Sequence, residues 1–271
     1  MQEIKISVIM GVFNPKDEKQ FYKAVNSILE QTFCDLEFII YNDGSDDIYE
    51  DLFGRICKLD NRIVYLKSKC NAGLANALNQ CIAVAKGNYL ARMDADDVAL
   101  PNRLKRLYDF LEENQEYQWV GSNAKLMSEQ GVWGSEAVPV IPVNTDFLRY
   151  SPYIHPAVMF RKSVLKAVKG YNKARVTKRC EDYELFMRLH YRGYQGYNIQ
   201  EDLLLYSEDV YAYKKRKYRY CIQEMCVRYL GFKKLGILKM KTIPYVIKPL
   251  LVGLMPAKLR FYIKQRADHY E

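Results

Sequence analysis

Three aspartates stand within four positions, Asp94, Asp96 and Asp97, directly after an apolar segment at residues 89–93. Carboxylates this close repel one another, and burial at the end of a strand would raise their pKa values further. A divalent cation relieves both effects, since Mg²⁺ or Mn²⁺ prefers carboxylate and phosphate oxygens and often takes only one or two protein ligands. Stabilisation of acids at a helix N-terminus would explain Asp97 but not all three. The cluster therefore predicts a metal held between the protein and a diphosphate.

Three other positions allow either chemistry or ordinary structure. Asp43 lies in an Asn-Asp-Gly-Ser turn at residues 42–45, where it either bonds the backbone or accepts a hydrogen bond from the imide N–H of a uracil. Asp182 follows Glu181 at the start of an apolar helix, as a helix-stabilising acid or as a general base that deprotonates a hydroxyl. His155, before a proline, is either a structural hydrogen bonder or a contact to the acceptor or donor.

The elements that must position these residues alternate between strand and helix patterns. Such alternation predicts an α/β fold in which a mainly parallel sheet is flanked by helices. Ligands of open α/β sheets bind at the carboxyl ends of the strands, so the polar loops after the first four strands should converge on one crevice. The strands are predicted at residues 4–10, 36–41, 63–66 and 89–93, and the helices around residues 21–29, 48–59 and 73–85.

Beyond residue 100 the pattern is less regular. Pro101 is expected to open a helix, and a strand follows at 119–122. Short strands near 124–128 and 157–160 should flank a proline-rich loop at 138–156, and a helix should run from Glu181 to before Gly193. From residue 214 onward we expect two or three basic amphipathic helices, with breaks at Gly231, Pro244 and Pro256.

The positive charge is concentrated at one end of the chain. Of 41 Lys and Arg and 32 Asp and Glu in 271 residues, residues 211–271 hold 15 and 3, which leaves a nearly neutral body with a strongly basic tail. Such a tail, interleaved with Tyr, Leu and Ile, suits anionic lipid, a nucleic acid or an acidic partner, or is simply a solvated helix face. The longest apolar run, at 243–255, is interrupted by charge and proline, so no transmembrane helix is predicted.

The cysteines and the N-terminus favour a reducing compartment. Seven cysteines, an odd number, occur without a Cys-x-x-Cys pair and lie mostly in segments that resemble core, so we expect buried thiols rather than disulfides or a zinc site. The first residues do not resemble a secretory signal. We expect a cytoplasmic protein, peripheral at the inner face of the cytoplasmic membrane.

Taken in order along the chain, these motifs resemble family 2 glycosyltransferases, the inverting enzymes of the GT-A fold. The resemblance covers roughly residues 4–210 and implies a GT-A catalytic domain at 1–210, with a nucleotide-binding half at about 1–100 and an acceptor-binding half at about 101–210, followed by the tail at 211–271. Seven motifs, in this order along the chain, carry the resemblance: Ser7-Val8-Ile9-Met10 followed by Asn14, Asn42-Asp43-Gly44-Ser45, Asn71 to Asn79, Arg92-Met93-Asp94-Ala95-Asp96-Asp97, His155-Pro156, Gly170-Tyr171 and Glu181-Asp182.

The resemblance also implies roles for individual residues. The carboxylate of Asp43 would contact uracil, Asp94 would hold the ribose, Asp96 would bind the Mn²⁺ or Mg²⁺ that bridges the diphosphate, and Asp182 would be the catalytic base. The other donor-binding positions would be Val12, Phe13, Asn14, Asn71, Gly73, Arg92 and Ala95. Glu181 and His155 are assigned to the acceptor or the diphosphate.

Three departures from the family pattern have consequences. Gly11 replaces a usual proline, which is tolerable where the contact is through backbone. The Gln-x-x-Arg-Trp motif of processive members does not occur, so a non-processive enzyme is implied. The segment at 205–209 lacks the Arg-x-His that many members carry there, so Lys214 and Arg216, with Tyr211 and Lys215, are assigned to the diphosphate instead.

Two other classes of protein are less compatible with the motifs. A sugar-phosphate nucleotidyltransferase would need a glycine-rich, basic phosphate loop after the first strand, where this chain has Gly-Val-Phe-Asn at 11–14. A non-enzymatic protein that binds nucleic acid through its tail has no need for converging carboxylates, which would repel phosphates. The resemblance implies transfer from a nucleoside diphosphate sugar, with UDP as the family's commonest case, to a saccharide acceptor. Because the basic tail suits a membrane surface, we expect this acceptor on a lipid carrier, in capsule, exopolysaccharide or O-antigen assembly; a homodimer is possible.

Overall fold

The computed structural model describes residues 4–208 and 217–268. Its first part alternates strands and helices as the sequence predicts, with boundaries shifted by a few residues. The four strands pair in parallel in the order β3-β2-β1-β4. These elements are β1 (Ile6–Val12), α1 (Glu18–Leu29), β2 (Leu36–Asn42), α2 (Glu50–Cys57), β3 (Ile63–Lys67), α3 (Leu74–Val84) and β4 (Tyr89–Arg92).

The second part extends the same sheet with mixed strand directions. β8 runs antiparallel to β4 and β6, whereas β9 runs parallel to β6, and the complete order is β3-β2-β1-β4-β8-β6-β9-β5 with β7 paired to β6. The predicted α/β sheet flanked by helices is confirmed, and its fully parallel part is β1 to β4. The added elements are β5 (Val98–Ala99), α4 (Arg103–Glu113), β6 (Trp119–Ser128), β7 (Gly131–Glu136), β8 (Met159–Arg161), α5 (Lys162–Ala167), α6 (Glu181–Tyr191) and β9 (Gly196–Ser207).

Two hydrophobic cores cover the two faces of the sheet. Side chains alternate along a strand, so Val8 and Met10 of β1 enter one core and Ile9 enters the other. The first core is closed by α1, α2 and α4, and the second by α3, α5 and α6. Helices therefore flank both faces, and the ends of β1, β2 and β4 are left open to ligands.

Several local predictions beyond residue 100 were wrong. The helix expected to open at Pro101 begins at Arg103, because residues 101–102 form a turn. The two short strands expected at 119–122 and 124–128 are one strand with a register shift after Ser122. β7, with two glycines in six residues, and the six-residue α5 were too weakly patterned to be predicted.

Three helices follow residue 217, as expected for the tail: α7 (Tyr218–Lys234), α8 (Ile243–Leu254) and α9 (Ala257–Asp268). Pro244 lies in the first turn of α8, and Pro256 lies between α8 and α9. The break predicted at Gly231 was wrong, since α7 continues through it. A Cβ there would lie 2.3 Å from Met187 Sδ, so glycine lets α7 pack closely against α6 without displacing this side chain.

The tail helices are attached to the rest of the protein. Phe232 of α7 and Val246 of α8 are buried in the second core. On α9, Lys264 Nζ pairs with Glu136 at 2.9 Å and with Glu208 at 2.6 Å. In residues 4–208 and 217–268, no helix is both long and apolar enough to span a bilayer.

The cysteines only partly match the expectation of buried thiols. All seven are free, and Cys81, Cys180 and Cys221 are buried. Cys34 and Cys70 are exposed, because each lies in a surface loop next to a strand or helix rather than on its inner face.

Candidate active site

The loops after β1 and β2 are joined to each other at the open edge of the sheet. The backbone N–H of Asn14 donates to Ser45 Oγ at 2.9 Å, and the amide side chain of Asn14 exchanges two hydrogen bonds with Asp46 at 2.8 and 2.9 Å. Asn14 adopts a positive φ of 46°, a conformation that asparagine tolerates better than most residues. Val12 is buried beside this junction, and the neighbouring Phe13 is 49% exposed.

Asp43 joins the β2 loop to the start of α3. Its two carboxylate oxygens accept hydrogen bonds from the backbone N–H groups of Ala72 at 3.1 Å and Gly73 at 2.7 Å. Burial raises the pKa of Asp43, while these hydrogen bonds and the charge of Lys178 oppose the rise. A carboxylate has about four acceptor positions, so Asp43 retains capacity to accept from a ligand.

Gly44 allows the two loops to approach this closely. It has a φ of +71°, and a Cβ at this position would lie 2.5 Å from the carbonyl carbon of Cys70. Only glycine avoids both the strained conformation and the clash. The predicted donor-binding positions Asn71 and Gly73 are thereby held beside Asp43.

The aspartate cluster follows β4 and divides into an exposed and a buried part. Asp94 is partly exposed and forms an ion pair with the fully buried Arg92, while Asp96 is exposed. Asp97 is buried, and its Oδ1 accepts from the backbone N–H of Ser207 at 2.8 Å. Burial first, and then the charges of Asp96 and Asp94, raise the pKa of Asp97 well above its ordinary value. The negative charges of the three acids therefore repel one another at this site.

A divalent cation fits the chemistry of this cluster. The Oδ2 atom of Asp97 is buried without a hydrogen-bond partner among the described residues, and the negative charges of Asp96 and Asp94 affect its carboxyl group more strongly than the positive charge of Arg92 does. A positive charge at Asp96 or Asp94 would relieve that repulsion. Within residues 4–208 and 217–268, no three acidic, histidine or cysteine side chains form a complete metal-binding group. The carboxylate oxygens present are the type that Mg²⁺ and Mn²⁺ prefer.

Asp182 lies in the first turn of α6, after Glu181. Burial raises its pKa to about 6, with a further contribution from Glu181 and a smaller one from Asp94; backbone N–H groups of the helix start act in the opposite direction. Asp94 and Asp182 therefore lie close enough for their charges to interact, although 88 residues separate them in the chain. A carboxylate with this pKa is ionised at neutral pH and basic enough to accept a proton.

A buried tyrosine connects the two halves of this site. Asn79 of α3 forms two hydrogen bonds of 2.8 Å with the backbone of Tyr171, and the Tyr171 hydroxyl bonds His155 Nε2 at 2.7 Å. Burial raises the pKa of Tyr171; the positive charge of Arg92 opposes this rise, and the negative charge of Asp182 adds to it. Burial and the charge of Arg92 hold the pKa of His155 well below its ordinary value, so its ring is neutral.

The structure brings most of the predicted site residues to one edge of the sheet. The roles assigned to them remain predictions, as does the division at residues 100 and 210. Lys214 and Arg216 lie outside the described residues. Lys178, whose charge acts on Asp43, was not anticipated. The available signal was the basic stretch at 173–179, with four cations in seven residues directly before Glu181.

Comparison with known proteins gives relatives of nearly the same length. The chain is 35% identical to glycosyltransferase EpsE of Bacillus subtilis over 264 residues, covering 97% of this chain and 94% of that protein. It is 33% identical to the O-antigen biosynthesis glycosyltransferase WbnJ of Escherichia coli over 190 residues, covering 68% and 71%. It is 27% identical to an E. coli UDP-Gal:α-D-GlcNAc-diphosphoundecaprenol β-1,3-galactosyltransferase over 277 residues, covering 97% and 96%.

Two solved structures share the architecture. Residues 1–349 of S. aureus TarS in complex with UDP-GlcNAc superpose with a TM-score of 0.65 at 16% identity, covering 91% of this chain and 71% of that one. The mannosyltransferase PcManGT from Pyrobaculum calidifontis, in complex with GDP-Man and Mn²⁺, gives a TM-score of 0.62 at 16% identity, covering 98% and 81%.

The mixed sheet flanked by helices is that of the GT-A glycosyltransferase fold. The model of glycosyl transferase family 2 matches residues 7–168, and this chain belongs to that family. It is a glycosyltransferase.

Proposed function

We propose that this protein is an inverting, non-processive glycosyltransferase that moves a sugar from UDP to a saccharide on a lipid carrier in cell-surface polysaccharide synthesis. One observation carries the proposal: Asp182, with a pKa of about 6, lies close enough to Asp94 for their charges to interact. This arrangement would place a general base near the residue assigned to the donor, as a single displacement requires.

The proposed reaction needs no covalent enzyme intermediate. The Asp182 carboxylate takes the proton of an acceptor hydroxyl, whose oxygen bonds to the anomeric carbon as the bond from that carbon to the nucleoside diphosphate breaks on the opposite face. An α-linked donor would give a β-glycoside. Glu181, one residue earlier in α6, contributes to catalysis by raising the pKa of Asp182.

Donor binding is assigned to the loops after β1, β2 and β4. Asp43 is held by Ala72 and Gly73 and would accept from the uracil imide N–H. Asp94, fixed by the buried Arg92, would bond the ribose. Asp96 would hold Mn²⁺ or Mg²⁺, which when bound would neutralise the oxygens of the diphosphate. The Mn²⁺ and GDP-Man in PcManGT and the UDP-GlcNAc in TarS support this type of donor site.

The acceptor class is supported by the relatives. The E. coli galactosyltransferase is named for a GlcNAc-diphosphoundecaprenol acceptor, and WbnJ for O-antigen biosynthesis. A related acceptor on a polyprenyl diphosphate would be embedded in a membrane, and the enzyme would work at its cytoplasmic face.

The surface of the tail helices supports contact with a membrane. Exposed apolar side chains on α8 and α9 lie among Lys and Arg, and Leu251 and Leu254 are 62% and 72% exposed. Apolar side chains that enter the bilayer interface would add to the attraction of anionic lipid, about 1 kcal/mol for each Lys or Arg near the surface. The other exposed apolar residues on these two helices are Ile243, Ile247, Leu259, Tyr262 and Ile263.

The donor site is tested by calorimetry with UDP, with and without Mn²⁺. We expect micromolar binding that needs the metal and is lost in Asp96→Ala and weakened in Asp43→Ala. Asp51→Ala, which removes an exposed acid from α2, is the matched control and should bind normally. Failure of UDP, GDP and dTDP to bind the wild-type protein would refute the proposed function.

Membrane contact is tested separately by sedimentation with anionic phosphatidylglycerol vesicles. Leu251→Ser with Leu254→Ser should reduce binding several-fold. The control, Ile48→Ser with Leu59→Ser, replaces two exposed apolar residues outside the tail helices and should leave vesicle binding unchanged. Equal binding by both double variants would contradict a role for α8.

A further inference from the structure

A cavity of about 430 Å³ lies between the start of α6 and the tail helices. Asp182 forms part of one wall, and Lys248, Pro249 and Val252 of α8 form part of another. The donor-side acids Asp43, Asp94 and Asp96 are not among the described residues that line it. The cavity therefore adjoins the proposed catalytic base, and its described lining does not include the donor-side acids.

Positive charge dominates the lining. Five of the described lining residues are cationic and two are carboxylates, Asp182 and Glu224, and Glu224 already pairs with a lining arginine at 2.9 Å. These cations come from five separate elements, namely two turns and the three tail helices, so the fold and not a single charged run assembles them. They are Arg149, Arg179, Arg228, Lys248 and Arg260.

The cations also crowd one another. Lys248 Nζ donates to the backbone carbonyl of Arg149 at 3.2 Å, and Arg228 donates to that same carbonyl at 3.4 Å. Partial burial, followed by the charges of Arg228 and Arg149, lowers the pKa of Lys248. A bound anion would relieve this repulsion, which makes an anionic occupant more favourable than a neutral one.

Helix α8 presents its two sides to different surroundings. Lys248 and Val252 line the cavity, whereas Leu251 and Leu254 are exposed on the surface assigned above to the membrane. A lipid carrier in that membrane would bring its phosphate groups to the level of the cavity while its saccharide extends toward Asp182. A volume of about 430 Å³ is in the usual range for a small-ligand site.

We propose that this cavity binds the phosphate groups that join the acceptor saccharide to its lipid, with Arg149, Arg179 and Lys248 as the specificity-determining cations. The proposal rests on the proposed function and deepens it, since it locates the acceptor's anionic group in a cavity that adjoins Asp182. The same chemistry would also accept a free diphosphate, so the two sources must be separated by experiment.

The test is calorimetric titration of the full chain, saturated with UDP and Mg²⁺, with farnesyl diphosphate, inorganic pyrophosphate and farnesol. The main variant is Arg149→Gln with Arg179→Gln, because both residues are exposed and their exchange should leave the fold intact. Lys248→Gln, which keeps a donor for the Arg149 carbonyl, is a second variant. Lys233→Gln with Lys241→Gln is the matched control, since both lysines are exposed outside the cavity lining.

We expect farnesyl diphosphate to bind the wild type and the control equally, at least ten-fold more weakly to the Arg149/Arg179 variant, and several-fold more weakly to Lys248→Gln. Pyrophosphate should follow the same order with lower affinity, and farnesol should not compete. Equal binding to all variants, or farnesol binding as tightly as farnesyl diphosphate, would overturn the proposal. Tighter binding of pyrophosphate than of farnesyl diphosphate would overturn the assignment to a lipid-linked acceptor. UDP affinity, measured first in each variant, reports the proposed function independently.

Discussion

Replacing Asp182 by Asn should slow transfer by orders of magnitude and, at neutral pH, make the protein more stable. The wild-type fold holds this carboxylate in a place that disfavours its charge, because burial and Glu181 raise its pKa from 3.8 to about 6. The asparagine side chain has nearly the same shape but does not ionise. The variant therefore avoids the desolvation and repulsion of the charged form and also lacks the base.

The magnitude follows from the pKa. Between pH 3.8 and about 6 the folded state keeps a proton that the unfolded state has lost, so the free energy of unfolding of the wild type falls as pH rises through this window. A pKa raised by about two is equivalent to about 3 kcal/mol. Asp182 is partly exposed, and an acid in the first helical turn gains about 0.3–1 kcal/mol from the helix dipole. We therefore expect a net stabilisation of about 1–2 kcal/mol above pH 7.

The assay is thermal unfolding followed by circular dichroism at pH 4.5 and pH 7.5. At pH 7.5 the variant should melt about 2–8 °C above the wild type, and at pH 4.5 the difference should largely disappear. UDP release during transfer should fall by roughly 10²–10⁴-fold. Glu181→Gln should remain active, but the pH dependence of its transfer rate should move to lower pH, because Glu181 helps to raise the pKa of Asp182. An Asp182→Asn variant that is less stable than the wild type at pH 7.5 would refute the reasoning.

Two further substitutions test the loops that form the site. Gly44→Ala should lower the free energy of unfolding by about 1–3 kcal/mol and weaken UDP binding, because it combines a φ of +71° with a 2.5 Å approach to the backbone of Cys70. Chemical denaturation measures the first effect and calorimetry the second. Gly54→Ala, with open space around its Cβ, is the control. Asn79→Ala removes both hydrogen bonds to the Tyr171 backbone and should lower the free energy of unfolding by about 1–3 kcal/mol. It should also raise the KM for the acceptor more than the KM for the UDP-sugar. A purely global loss of stability would not separate the two KM values.

The first part of the fold was predictable because its signals are local. Most buried positions of β1 and β2 are apolar on both faces, with Ser7 and Glu37 hydrogen-bonded to each other as a polar exception, and each strand is followed by polar loop residues. The strands, the helices and the ligand-binding edge are therefore all visible in the sequence. The later strands were harder to predict. β7 contains two glycines in six residues. The twelve residues of β9 include the polar Glu201 and Asp202, which lie where the register with β6 shifts.

The site was predictable as a set of residues but not as a geometry. That Asp43, Asp94 and Asp182 belong together came from the order of motifs along the chain, since nothing local brings α6 to the end of β4. The electrostatic environment was also invisible, because the elevated pKa of Asp182 depends on burial by folded neighbours. Lys178 and the cationic cavity depend in the same way on parts of the chain that meet only after folding.

The tail illustrates the consequence of such contacts for domain division. A boundary at residue 210 follows the change in charge, yet Arg228 of α7 pairs with Glu224, donates to the Leu148 carbonyl at 2.9 Å and lies 5.1 Å from the ring centre of Tyr183. Tyr183 is the residue after Asp182, so α7 supports the turn that carries the proposed base. Because a buried arginine without its partners is costly, the tail and the catalytic half are expected to stabilise each other. Helix α7 therefore connects the surface assigned to the membrane, on α8 and α9, with the turn that carries the proposed base.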